Sequence, residues 1–583
     1  MNLDDIKAAR SAIDLYPNVE ILEDVFVLHN DYYVKVAITI EKSISLSVPL
    51  TTNWYIRFNE NSMDFFPAKD GGITCTFQHQ NLNIDIGDKY PFLSGKLCLD
   101  KTYHIFDDRS FDYLPEKYGQ KFVWYLNRAL RWIESAANNK LVKDGDPFEL
   151  PEINCNYASE FIFKEGPLEL WKGFNHKFGY AKIDKFSNDK YDYFLLRELY
   201  NLDYDEARGT LFWGDYFDDA EKFSKYSLWI RLERPPIIDP WMFPRTWEEL
   251  FAFGEKQGID IKGIISRLLV SSDMLSAGMF LAIVYPIPRL VGGDDVTMSW
   301  IFMDLPEFNF PTKGFRNILS TKLRYYMSKF KGEIKYYHAE NLYTDCLLSR
   351  GRINDRIARK NTAIIGMGAL GSVLAENFSR IGFENLHLFD GDRFIFSNVA
   401  RHILGIDSHN KDKCEEVRSK IIKNNPNLKV ACHSDLTYKN VASLSLCDMV
   451  IDCSANMQVL KILSSREFEK EKLFVIAAMS YGACDFIVYF FRSKKFDYKE
   501  YCEKVLPTFK SLVSDLNLEE KDLVMQGIGC YHPVFPARFD DVNIWGSALV
   551  KVIDSVYFRS FTSCCVHWRK NDLSVEVVDE WEK

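Results

Sequence analysis

The sequence predicts a multidomain protein that joins α+β and α/β folds. Three observations carry that reading. The chain has 583 residues, more than one hydrophobic core serves, so about three domains are expected. Its first 150 residues place a helical pattern before alternating strands. From residue 351 onward, short apolar strands alternate with helical stretches, the rhythm of a parallel sheet covered by helices.

In the first segment, Leu3–Leu15 has the spacing of an amphipathic helix, and YYVKVAITI and NWYIRFN alternate with period two. A loop follows, containing YPFLSGKLCLDK, and then the helical stretch YGQKFVWYLNRALRWIESAANN. The run KDGDPFELPE has the Gly, Pro and acidic content of a boundary, which places domains at 1–150, 151–350 and 351–583. The middle domain is mixed α/β and rich in aromatics. Its proline-rich RLERPPIIDPWMFPRTWEEL ends in a helix start at Thr246. It shows no catalytic constellation and is expected to be a linker or scaffold.

Composition excludes several classes. Hydrophobic residues are 47% and charged residues 26% of the chain, an ordinary globular balance. The formal net charge is -10 without a basic stripe, which argues against nucleic acid as a partner. The apolar stretch Met274–Val291 is broken by Pro286 and Pro288 and is too short to span a membrane. A soluble, cytoplasmic protein is expected. The 13 cysteines contain no C-x-x-C pair, against a zinc tetrad or a redox pair, and most are expected to be reduced packing residues.

The strand NTAIIG runs into GMGALGS. Gly366, Gly368 and Gly371 give G-x-G-x-x-G between a strand and a helix. The first glycine serves the turn, the second close approach to a phosphate, and the third close helix packing. The helix N-terminus offers free N–H groups to an anion. Asp390 ends the next strand, where an acid grips a ribose. A nicotinamide-dependent oxidoreductase would share these features. Asn398, Arg401, Lys413 and, in VIDCSAN, Asp452 with Asn456 pull away from it. The two cations can neutralise charge on an attacked α-phosphate, and Asp452 can hold Mg²⁺.

GMGALGS, FDGDRFIFSNVARH, Lys413 and VIDCSAN together resemble the adenylation domain of ubiquitin-activating enzymes and of the bacterial enzymes that activate sulfur carriers. The resemblance covers roughly residues 350–583 and implies a Rossmann-like fold that uses ATP to adenylate a C-terminal carboxylate. It implies that Asp390 holds the ribose, that Asn398, Arg401 and Lys413 hold phosphates, and that Asp452 holds Mg²⁺. The family's Arg-Gln pair is Arg401-His402 here. The resemblance also implies a homodimer through this domain and an arginine lent by the partner chain, for which Arg350, Arg352 and Arg356 are candidates.

Cys530, in GIGCYHPVFP, carries Phe535-Pro536 at the offset seen after the catalytic cysteine of ubiquitin-activating enzymes. That match implies a thioester-forming nucleophile, with His532 as a neighbouring base or simply a solvated loop residue. Residues 20–140 resemble a ubiquitin-conjugating domain, with Cys98 in GKLCLD as its catalytic cysteine and Phe66-Pro67 as its proline-bearing turn. Phe77-Gln78-His79-Gln80-Asn81 partly resembles that family's His-Pro-Asn without the proline. Asn81 is the candidate oxyanion stabiliser, and Asn83 competes for the role.

An activating and a conjugating domain in one chain resembles the fused enzymes of bacterial CBASS antiphage operons. The resemblance implies that the C-terminus of a cGAS-like nucleotidyltransferase is joined to a lysine amine on a target. Three alternatives remain: a sulfur-carrier or small-molecule adenylyltransferase with a non-catalytic N-terminal domain, the NAD-dependent oxidoreductase, and a catalytically dead scaffold.

Overall fold

The computed structural model describes residues 3–583 except 61, 101–113, 167, 189, 203–205, 209–212, 219–225, 239, 272–278, 307–318, 516–524, 527–531, 534–535 and 572–573. The chain divides into two compact units. One holds Met1–Leu211 and Glu221–Tyr343, and the other holds Phe212–Ala220 and Thr344–Lys583.

The first unit begins with the helix Leu3–Ile13. A four-stranded antiparallel meander follows, made of Val19–Leu28, Asp31–Thr39, Thr51–Phe58 and Met63–Pro67. The period-two pattern sorts the second strand's side chains: Val34, Val36 and Ile38 enter the main core, and Tyr33 joins a smaller cluster with Tyr55 and Phe92. The helix Tyr118–Ala137 closes the core, with Trp132 set edge-to-face on Trp54 at 6.3 Å.

Further along the same unit lies an eight-stranded sheet. Its strand Cys155–Phe163 pairs with both Tyr336–Asn341 and Asp192–Tyr200, so the sheet closes on itself and protects those edges. Phe161, Phe194, Phe280 and Phe302 pack on one face, and the helices Trp247–Lys256 and Ile261–Ser271 contribute to the core on the other. Thr246 caps the first of these helices in a capping box with Glu249, as the sequence predicts. The apolar stretch around residue 280 is the strand Phe280–Pro288. Among the described residues, no helix is long and apolar enough to cross a membrane.

The second unit is a mixed α/β sheet. Five parallel strands come in the order Lys429–His433, Asn385–Phe389, Thr362–Ile365, Met449–Asp452, Lys472–Met479, followed by antiparallel Asp485–Ser493, Ser563–Lys570 and Val575–Glu582. The chain starts in the middle at Thr362–Ile365, builds outward to one side, then crosses to Met449–Asp452 on the other. The order therefore reverses between those two strands. Open parallel sheets form their ligand crevice beyond the carboxyl ends of the strands at such a point.

The segment around Asp215 belongs to this unit. Its carboxylate accepts from Arg418 Nη2 at 3.1 Å, Arg418 Nε at 3.3 Å and the backbone N–H of Val430 at 2.9 Å. Asp215→Ala leaves a partly buried guanidinium and a backbone donor short of an acceptor. It is expected to cost about 1–3 kcal/mol, read as a lower midpoint in calorimetric melting.

Candidate active site

At the switch point, Ile365 ends its strand and Gly366 turns the chain with φ +87°, a conformation glycine adopts freely. Gly368 is the N-cap of the helix Ala369–Ile381, and a Cβ there would meet nothing within 4 Å. A Cβ on Gly371 would lie 1.9 Å from the Gly366 carbonyl oxygen. The glycines thus divide the work as the spacing predicts: a turn, an open face, and a close helix–strand approach. Gly371→Ala must push the helix off the turn. It is expected to lower stability by about 1–3 kcal/mol and to abolish the thermal shift produced by ATP. Gly368→Ala is expected to keep the melting temperature and lose ATP affinity, because its methyl enters only the open space.

Gly366 and Gly368 line a cavity of about 470 Å³ with Asp390, Asp392, Lys413 and Ser454, a volume in the range of small-molecule sites. Leu436, Val459 and Ile462 give it an apolar wall. Asp390 stands just beyond its strand. Its carboxylate accepts from the backbone N–H of Met367 at 2.7 Å and of Asp392 at 2.9 Å. Burial pushes this carboxyl above the usual aspartate range, against the pull of Lys413 and the two backbone donors. Lys413 opens the helix Lys413–Ile421 and is buried; its Nζ lies 2.7 Å from Asp392 Oδ2 and 3.9 Å from Asp390 Oδ1.

Asp452 lines a second cavity, of about 190 Å³, which shares Asn456 with the first. Its Oδ1 accepts from the N–H and the hydroxyl of Ser454, and burial pushes its carboxyl up to about 6. A buried carboxylate with so high a pKa gains from a cation beside its charged form, so the residue suits Mg²⁺.

Asn398 and Arg401 do not line either cavity. They lie on the 3-10 turn Phe396–Arg401, where Asn398 Oδ1 accepts from the Ile395 N–H and Arg401 donates to the Ser397 carbonyl. Each side chain makes one bond within its own turn. The next residue, His402, ties that turn to the glycine loop. Its Nε2 lies 2.7 Å from the Met367 carbonyl oxygen, and its Nδ1 accepts from the Leu404 N–H. Burial lowers His402 to about 4, so the ring is neutral and holds both bonds. Sequence reasoning met His402 only as a departure from a family pair, and it passed over Asp392, which FDGDR contained. Of the arginine candidates, Arg352 pairs with Asp345 and Asp355 of its own chain.

Cys98 belongs to the first unit. Leu97 and Leu99 are buried in the main core, and the thiol between them is half-buried. The Leu99 N–H donates back to the Leu97 carbonyl at 3.1 Å, and in this tight turn Cys98 is the more exposed side chain of the three. The Cys98 N–H donates to the His79 carbonyl and the Asn81 N–H to the Lys96 carbonyl, so the two segments run side by side. Cys98 Sγ lies 3.9 Å from Asn81 Oδ1. Asn83 is buried, and its amide nitrogen donates to the Ile73 and Cys75 carbonyls. The geometry therefore separates the two asparagines: Asn83 braces the loop and Asn81 faces the thiol. Cys530 and Phe535 lie outside the described residues.

A parallel sheet with a glycine turn at its switch point, an acid at the next strand end and a buried lysine in the cavity lining defines a Rossmann-like nucleotide site. Residues 348–537 match the ThiF family, and residues 139–342 match the family described as the Cap2 central linker domain. The "ATP-dependent ubiquitin transferase-like protein Cap2" of Enterobacter hormaechei subsp. hoffmannii (strain UCI 50) is 28% identical over 94% of this chain and 94% of its own. "Ubiquitin-like modifier-activating enzyme 5" of Caenorhabditis elegans is 26% identical over 22% of this chain and 34% of its own. "Adenylyltransferase and sulfurtransferase MOCS3" of Drosophila yakuba is 32% identical over 19% of this chain and 25% of its own. The chain is a homologue of Cap2 with a ThiF adenylation domain. These matches support an enzyme of the ubiquitin-activating-like kind, and the match to the ThiF family implies the use of ATP.

Proposed function

We propose that the chain conjugates proteins through an adenylate and two successive thioesters. ATP occupies the cavity at Gly366–Gly371, with its base against Leu436, Val459 and Ile462, its ribose at Asp390 and its phosphates toward Gly368 and Lys413. Asn398 and Arg401 reach the phosphates by leaving their contacts within the 3-10 turn. Asp452 would hold Mg²⁺, which would supply charge neutralisation to the phosphates. A protein's C-terminal carboxylate attacks the α-phosphorus and pyrophosphate leaves. The Cys530 thiolate attacks the acyl carbon and AMP leaves. The Cys98 thiolate then takes the acyl group and frees Cys530. A target lysine amine attacks in turn, loses a proton to solvent and displaces the Cys98 thiolate. Asn81 stabilises the oxyanion of that last step.

The observation that carries this reading is the display of Cys98. Its thiol is turned out of the core between two buried leucines and set against Asn81, in a chain that also holds an adenylation cavity. The helix, four-stranded meander, cysteine loop and following helix have the order of a ubiquitin-conjugating domain, which supports assigning residues 1–150 to one. The linker would then fall at 151–350 and the adenylation domain at 351–583. The substrate is a protein with a free C-terminus, by family resemblance a cGAS-like nucleotidyltransferase in CBASS antiphage defence. The enzyme works in the cytoplasm as a homodimer through its adenylation domains. Intact-protein mass spectrometry with ATP and a candidate substrate tests the relay. Acyl adducts lost on reduction are expected at both Cys530 and Cys98; their absence at both sinks the proposal.

A further inference from the structure

The run KDGDPFELPE, read from sequence as a domain boundary, ends in Glu152 beside the Cys98 loop. Glu152 Oε2 accepts the Leu82 N–H at 2.9 Å and lies 3.4 Å from Asn81 Nδ2. The other end of that amide, Oδ1, is the atom 3.9 Å from Cys98 Sγ. Asn81 is thus held from three directions: its backbone N–H on Lys96, its amide nitrogen by Glu152, and its amide oxygen on the thiol. The same run also places Glu149 Oε2 3.2 Å from Nδ1 of His79, whose carbonyl receives the Cys98 N–H. Glu152 lies within the residues that match the linker family, outside the meander and the loop after it that carries the thiol.

We propose that Glu152 is a positioning residue for the Cys98 reaction: its carboxylate fixes the Asn81–Leu82 segment and so orients the Asn81 amide over the thiol. The inference rests on reading Cys98 as the second acceptor thiol. A bond from a backbone N–H to a carboxylate is charge-assisted and stronger than a neutral one. It spares the oxyanion donor from finding its orientation during the reaction. An amide nitrogen carries two hydrogens, so one bond to Glu152 leaves the second for the oxyanion. The linker, on this account, completes the second thiol's site.

The test is single-turnover discharge of the Cys98 thioester to free lysine in the full-length protein. Glu152→Ala is expected to slow discharge about tenfold, as misorientation of a reacting group does, with loading of Cys98 and the melting temperature unchanged. Glu152→Gln keeps an acceptor oxygen for both N–H groups and is expected to restore most of the rate. In an Asn81→Ala background, Glu152→Ala is expected to add nothing, because its effect runs through Asn81. Wild-type discharge by Glu152→Ala overturns the inference. So does a Glu152→Gln rate as slow as Glu152→Ala, which would assign the effect to charge, and so do losses that multiply in the double variant. A wild-type enzyme that never loads Cys98 fails at the earlier step: the relay itself falls, and this inference with it.

Discussion

Cys98→Ala is expected to leave ATP–pyrophosphate exchange at the wild-type rate and to abolish isopeptide formation, with the substrate stalled as a thioester on Cys530. Exchange should survive because the thiol and the nucleotide cavity belong to different compact units. The fold should survive because the substitution removes one half-buried sulfur and leaves Leu97 and Leu99 in the core. Conjugation fails because the acceptor of the second transfer is gone and no other group takes over a missing nucleophile. Cys98→Ser sharpens the result: an oxyester should accumulate that resists thiol reductants and yields to hydroxylamine. A sulfur-carrier or metabolite adenylyltransferase would be indifferent to both substitutions. Unchanged isopeptide formation in Cys98→Ala would therefore remove the second thioester and leave only the adenylating half of the proposal.

Lys413→Ala is expected to cut ATP–pyrophosphate exchange about 10²–10³-fold, the usual cost of deleting one preorganised charge partner. Lys413 is the buried cation of the cavity lining, placed between Asp392 and Asp390 at the first turn of its helix. Its loss removes a counter-charge for the phosphates and also leaves those two carboxylates facing the nucleotide unneutralised. Lys413→Arg is expected to recover only part of the rate, since a planar fork does not fill the place of a compact ammonium. Exchange kinetics against ATP concentration, with a protein substrate present, measure both. A wild-type exchange rate in Lys413→Ala would remove this lysine from the phosphate site.

The nucleotide site was largely legible in the sequence because its constraints are local. A positive φ at Gly366 and the tight approach at Gly371 leave a spacing that survives without neighbours. Asp390 and Asp452 announce themselves at the ends of short apolar strands. The partners of the Cys98 thiol were harder. Asn81 and Asn83 are equivalent in a string of letters; what separates them is that Asn83's amide is consumed by the carbonyls of residues 73 and 75. Asn398 and Arg401 show the opposite case. Their identity suggested phosphate contacts, while local geometry employs both within their own turn. Glu152 was invisible because it lies 54 residues after Cys98, in a run whose composition says only that a domain ends. His402 hid inside a motif as the odd letter, and only folding shows it bonded across 35 positions to Met367.

The Met367 peptide has its N–H on a buried carboxylate and its carbonyl on a neutral imidazole. A glycine turn held on both sides has given up its conformational freedom at the time of folding. ATP should therefore meet a surface already set, with little ordering left to oppose association. In hydrogen–deuterium exchange the Met367 amide should be slow before ATP arrives and no slower afterwards, while protection gained on binding should concentrate in the amides at the start of the helix Ala369–Ile381.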